Sequence, residues 1–137
     1  GNPNIYVMNI ASRSLKQLTN DSSINTEPTW SSDGRSIIFT SNRGGGPQIY
    51  RLDLSSGDIS RISYEGNYNA TPSITADGQT LVLLHGQGGN NYDAATLDLG
   101  SGALNVITRT GGVSSPSVAP NGQMLIFADT SSGRGTL

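Results

Sequence analysis

The sequence predicts an all-β protein, a β-propeller of four-stranded antiparallel blades arranged as a partial ring. Three observations lead there. The motif Pro28-Thr29-Trp30-Ser31-Ser32-Asp33-Gly34 recurs as Pro72-Ser73-Ile74-Thr75-Ala76-Asp77-Gly78 and as Pro116-Ser117-Val118-Ala119-Pro120-Asn121-Gly122, at a spacing of 44 residues both times. Other markers keep step. Ile5-Tyr6-Val7-Met8-Asn9-Ile10 precedes Ile49-Tyr50-Arg51-Leu52-Asp53-Leu54 by 44, and Leu18-Thr19 returns as Ile62-Ser63 and Ile107-Thr108 at 44 and 45. Finally, only 13% of the residues are charged while 18 are glycine, the composition that many short strands joined by tight turns require.

A unit of 44 residues suits a propeller blade, which repeats every 40 to 50 or so, and exceeds the leucine-rich, ankyrin and tetratricopeptide periods. Within one unit, residues 28–31 are predicted as a short strand opening on proline, a position where a missing ladder N–H costs least. Asp33-Gly34 predicts a type I′ hairpin turn, with positive φ at both centres. Residues 36–40 form the second strand, apolar through its middle and so buried on both faces. Gly44-Gly45-Gly46-Pro47 breaks the chain, residues 48–54 alternate as a third strand, and Ser55-Ser56-Gly57-Asp58 turns into a fourth at 59–62. Trp30, which replaces Ile74 and Val118 of the other units, is expected to pack between blades.

Such a sheet cannot bury its faces alone and must stack on neighbours around a channel. Gly1-Asn2-Pro3-Asn4-Ile5-Tyr6 is in register with Gly45-Gly46-Pro47-Gln48-Ile49-Tyr50, which places the first residues at a third strand. Ser132-Gly133-Arg134-Gly135 falls just before the next third strand. The expected division is therefore 1–22 as the last two strands of a blade, 23–66 and 67–111 as complete blades, and 112–137 as the first two strands of another. With its end faces open, this partial propeller is expected to be poorly stable alone, aggregating or associating face to face.

Composition narrows the function. A formal net charge of −2 without a basic run gives no footprint for nucleic acid or an anionic membrane surface. The apolar runs at 81–84 and 125–128 fall far short of the roughly 20 residues of a membrane span, so no membrane insertion is expected. Cysteine is absent. His85 is the sole histidine, and without a Gly-x-Ser-x-Gly elbow no catalytic residue is expected. Asp33, Asp77 and Asn121 read as turn residues, no Asp-x-Asp-x-Asn-Gly loop is present, and no metal ligand is assigned. The glycine clusters at 44–46 and 86–89 precede neither a lysine nor a helix and read as loops between strands. No cofactor is expected, although the sequence leaves a calcium ion in the central channel open, held by carbonyls or by Glu27.

In a propeller the loops entering the innermost strands ring one mouth of the channel. Those segments hold Asn25, Thr26 and Glu27 in one blade, Asn67, Tyr68, Asn69 and Thr71 in the next, and Ser114 and Ser115 in the third. Hydrogen-bonding side chains around an aromatic anchor suit a protein-binding surface. The alternative for Asn25 and Asn69 is a structural one, capping the turn into each strand.

Asn25-Thr26-Glu27-Pro28-Thr29-Trp30, Phe39-Thr40-Ser41-Asn42-Arg43-Gly44-Gly45, Pro47-Gln48-Ile49-Tyr50 and Tyr64-Glu65-Gly66-Asn67-Tyr68-Asn69 carry a resemblance that runs along essentially the whole chain. It resembles the propeller of the TolB family, soluble components of the Tol-Pal system of Gram-negative bacteria. The resemblance implies a six-bladed ring preceded by a smaller α/β domain absent from residues 1–137, a periplasmic location and no catalytic role. It also implies a propeller that binds the peptidoglycan-associated lipoprotein Pal, an N-terminal region that engages TolA, and capture of the Pal surface by some colicins. Outer-membrane integrity and cell division are the processes served. By this likeness the mouth residues named above are the expected Pal contacts. The alternative function is a regulatory or substrate-gating propeller of a serine peptidase whose catalytic domain lies outside this chain. A propeller lyase or sugar-binding enzyme with a channel metal would need more convergent ligands than His85 supplies.

Overall fold

The structure, a computed structural model, describes residues 1–130, which form strands, turns and loops. The strands are β1 (Tyr6–Met8), β2 (Leu15–Gln17), β3 (Asn25–Trp30), β4 (Ser36–Ser41), β5 (Gln48–Asp53), β6 (Ile59–Arg61), β7 (Tyr68–Ile74), β8 (Thr80–Gly86), β9 (Asp93–Asp98), β10 (Leu104–Val106), β11 (Val113–Val118) and β12 (Leu125–Asp129). Sheets β3-β4-β5-β6 and β7-β8-β9-β10 are antiparallel meanders, accompanied by the two-stranded sheets β1-β2 and β11-β12. This is the all-β, partial-ring propeller architecture the repeat predicts. The Ser132-Gly133-Arg134-Gly135 segment lies outside the described residues.

Three apolar layers hold the sheets face to face. Ile5 meets Ile37, Phe39, Tyr50 and Leu52 in the first, and Ile38 and Ile49 meet Leu81, Leu83, Ala95 and Leu97 in the second. The third joins Leu84 and Ala94 to Val113. In β4, Ile37 and Phe39 thus face one neighbour while Ile38 faces the other, as the period of two demands. That is why β4 and β8 read as unbroken apolar runs, burying both faces as expected.

Beneath the apolar layers runs a polar one that also repeats. The N–H groups of Ile5, Ile49 and Ala94 donate to the hydroxyls of Thr19, Ser63 and Thr108, at 2.9, 2.8 and 2.9 Å. Those hydroxyls donate onward to Asn4 Oδ1, Gln48 Oε1 and Asp93 Oδ1, at 2.9, 2.7 and 2.8 Å. The Leu-Thr, Ile-Ser and Ile-Thr marker of the sequence is therefore an obligatory hydroxyl beside an apolar residue. Blades are also hooked through the backbone, with the N–H groups of Asn25, Asn69 and Val113 donating to the carbonyls of Pro3, Pro47 and Tyr92.

Two local expectations are corrected. The innermost strands do not open on proline. β3, β7 and β11 start three or four residues earlier, and their ladders shift register around Glu27-Pro28, Thr71-Pro72 and Ser115-Pro116. At such a bulge the proline needs no ladder hydrogen bond. The Asp33-Gly34 turn is not type I′. Gly34 donates to the Ser31 carbonyl and alone has positive φ, at 70°, while Asp33 accepts from the Ser31 hydroxyl and the Arg35 N–H. Thr75-Ala76-Asp77-Gly78 repeats that arrangement. Trp30 lines a cleft with Ile5, Tyr6 and Val7 of the adjacent sheet, on the side expected to face a neighbouring blade, and is 52% exposed within the described residues. It faces the sheet of β1 and β2, the counterparts of β5 and β6, which covers the outer part of its neighbour, whereas its equivalent Ile74 packs against a four-stranded sheet.

Candidate functional site

The loops joining β4 to β5 and β8 to β9, and those leading from β6 to β7 and β10 to β11, lie at one end of the strands. This end is the mouth. The residues singled out from the sequence gather there, not on loops but on the first halves of β3, β7 and β11 and just before β7, because the strands begin upstream of the bulge.

The bulges give Glu27, Thr71 and Ser115 left-handed backbones, with φ of 55°, 50° and 49°, each 44 residues from the next. The conformation costs a side-chain-bearing residue about 1 kcal/mol or more, and recurs because the stacked blades impose it. The register shift leaves the Thr71 N–H outside the ladder, where Glu27 Oε2 of the preceding blade accepts it at 2.9 Å and takes the Thr40 hydroxyl at 2.7 Å. With the following prolines, the three residues line a groove of about 350 Å³ along the innermost strands, which is the channel wall.

Beside it, Thr26, Glu27 and Tyr68 line a cleft of about 240 Å³ with Ile24, Thr40 and Pro47. Tyr68 is half-buried and its ring packs on Tyr92, with centroids 4.7 Å apart. Burial, and then the Glu27 charge, push its hydroxyl above the usual tyrosine value. Asn67 is exposed and its Nδ2 holds the Gln87 carbonyl at 3.1 Å. Ser114 and Ser115 sit on β11, outside this cleft.

Asn25 and Asn69 are buried, at 1% and 0% exposure, and their amides are fully engaged. Asn69 Nδ2 donates to Gln48 Oε1 at 2.8 Å and to the Glu65 carbonyl at 2.7 Å, so Oδ1 accepts from His85 Nδ1–H, 2.8 Å away. Asn25 Oδ1 accepts from Arg43 Nη2 at 2.9 Å, and Arg43 also pairs with Asp21 at 3.0 Å and lies over the Phe39 and Tyr50 rings. Both asparagines therefore hold the strand entries in place through their buried amides. His85 is 4% exposed, with Nε2 buried and unpartnered, and burial depresses its pKa.

Among the described residues no group of three or more His, Asp or Glu side chains comes together to hold a metal ion. The sequence did not single out Ile24, Thr40 or Pro47 as cleft walls, nor Gln48 as the partner of Asn69. The available signal was positional, since Asn4 and Gln48 occupy the same place in their units and Pro47 follows the glycine run.

Residues 1–137 match the family described as the TolB beta propeller domain. The chain is 49% identical over 97% of its length to the Tol-Pal system protein TolB of Bordetella parapertussis and covers 30% of that protein. The crystal structure of TolB from Acinetobacter baumannii is similar with a TM-score of 0.90 at 44% identity, over 98% of this chain and 34% of that one. A putative TolB from Agrobacterium tumefaciens is similar at 0.70 and 25%, over 75% and 40% of the two chains. A puromycin hydrolase, at 18% identity and a TM-score of 0.69 over 90% of this chain and 22% of that one, shares the fold alone. The chain thus spans about a third of the length of its TolB relatives.

Proposed function

The chain belongs to the TolB beta propeller domain family, and from that premise we propose that it is part of a periplasmic, non-catalytic scaffold of the Tol-Pal envelope system that binds the lipoprotein Pal. The carrying observation is the 49% identity to a Tol-Pal system protein along 97% of the chain. The mouth supplies the binding surface, with Glu27, Asn67 and Ser115 exposed and Thr26, Tyr68, Thr71 and Ser114 half-buried around them. An aromatic anchor amid adaptable polar groups on rigid strands is a surface for a protein partner. Catalysis has no part here. The His85 imidazole hydrogen-bonds to Asn69 through Nδ1, and its Nε2 has no partner among the described residues. Binding of Pal at this mouth serves outer-membrane integrity and cell division, colicins compete for the same surface, and TolA is engaged by a region outside residues 1–137.

The test is calorimetry with purified Pal and the full-length gene product that carries residues 1–137. A saturable complex of micromolar affinity or tighter is expected, and no measurable complex would sink the assignment.

A further inference from the structure

We propose that the mouth cleft bounded by Ile24, Glu27, Pro47 and Tyr68 receives a cationic side chain, a lysine or arginine projecting from the bound protein. The assignment deepens the Pal-binding proposal and rests on it for the identity of the partner. Its chemistry is set by the cleft alone.

Glu27 is the one charged side chain lining the cleft. Its Oε2 is fixed by the Thr40 hydroxyl and the Thr71 N–H, while among the described residues no donor reaches Oε1. Two neutral donors orient the carboxylate without cancelling its charge. The Arg43 guanidinium is committed elsewhere, to Asp21, Asn25 and the rings of Phe39 and Tyr50, and does not line the cleft. An oriented, unneutralised carboxylate at the end of a cleft attracts a cation.

The walls favour a cation on a hydrocarbon stem over a free metal ion. Ile24 and Pro47 offer apolar surface to methylenes, and the Tyr68 ring offers its face and edge near the charge. A volume of about 240 Å³ lies below the range of a drug-sized ligand and suits one long side chain. The bulge at Thr71 is part of the device, because the register shift leaves the N–H that fixes Glu27 outside the ladder.

Glu27→Gln separates charge from shape, since its amide oxygen still accepts from Thr40 and Thr71 while the negative charge is gone. In the full-length gene product, Pal affinity is expected to fall about three- to tenfold in this variant, with a shallower salt dependence and an unchanged melting temperature. Wild-type-like Pal affinity in Glu27→Gln overturns the cleft assignment and leaves the Pal-binding proposal standing. A second probe needs no partner. Nα-acetyl-arginine methylamide at millimolar concentration is expected to shift the Thr71 amide resonance saturably in the wild type, with the norleucine analogue and the Glu27→Gln variant giving no such shift. Equal responses to the two compounds, or none to either, overturn the assignment whether or not Pal binds.

Discussion

Asn69 Nδ2 donates to Gln48 Oε1 at 2.8 Å, tying the innermost strand of one blade to the third strand of the blade before it. Both residues are buried, at 0% and 4% exposure, so water cannot readily replace the bond. Gln48 Oε1 also takes the Ser63 hydroxyl, and Asn69 Oδ1 takes His85, which makes a four-residue network across the joint. Asn69→Ala leaves buried donors and acceptors unmatched and is expected to cost about 1–3 kcal/mol. Urea unfolding of the full-length gene product checks it, as a lower midpoint at unchanged slope. Asn25→Ala is expected to cost less, because its partners Arg43 and Asp21 are partly exposed and water can replace the lost bonds.

Gly66 and Gly57 share a φ of 77° but differ in surroundings. A Cβ on Gly57 meets nothing within 4 Å, whereas one on Gly66 would lie 2.5 Å from His85 Cε1 and 3.0 Å from the Gly86 carbonyl oxygen. Gly57→Ala is expected to cost about 1–2 kcal/mol for the left-handed backbone alone. Gly66→Ala adds about 1–3 kcal/mol of overpacking. Thermal melts of the two variants side by side give the difference.

His85 makes stability depend on pH. Burial holds its pKa below the ordinary 6.5, against the opposing pull of Glu65 and Asp93. Below pH 6.5 the unfolded chain therefore binds a proton that the folded chain refuses, and stability declines as pH falls until the depressed folded value is passed. His85→Asn keeps a donor for Asn69 and removes the titration. Urea midpoints between pH 7.5 and 5 are expected to decline in the wild type and to stay nearly level in the variant, and parallel declines would contradict the assignment.

Arg43 is held by its shape as well as its charge. Its Nε donates to Ser41 Oγ at 3.0 Å, Nη2 reaches both Asp21 and Asn25, and the guanidinium lies 5.2 Å from the Tyr50 centroid. Lysine keeps the charge and loses the fork and the flat stacking surface. Arg43→Lys is expected to lower stability by about 1–2 kcal/mol, measured by chemical unfolding, with little recovery at high salt.

The blades were legible in the sequence because burial on two faces, turn glycines and the obligatory hydroxyl of Thr19, Ser63 and Thr108 all repeat at one period. What sequence reasoning missed was set by tertiary geometry. Pro28 suggests a strand start, but the bulge lets β3 begin three residues earlier, at Asn25. Asn25 and Asn69 carry the same amide as a surface contact would, and only the approach of Gln48, His85 and Arg43 buries them. Trp30 resembles its core counterparts in sequence, and its exposure depends on which strands face it. The cleft joins Glu27 to Pro47 and Tyr68, residues from three segments, and no local pattern marks such a meeting.

The most direct measurement is hydrogen exchange of the full-length gene product with and without Pal. Slowed exchange is expected at the mouth, over residues 23–27, 67–71 and 112–115. Protection confined to the opposite end, at the turns around 31–36, 53–58 and 75–80, or no change anywhere on addition of Pal, would contradict binding at the mouth.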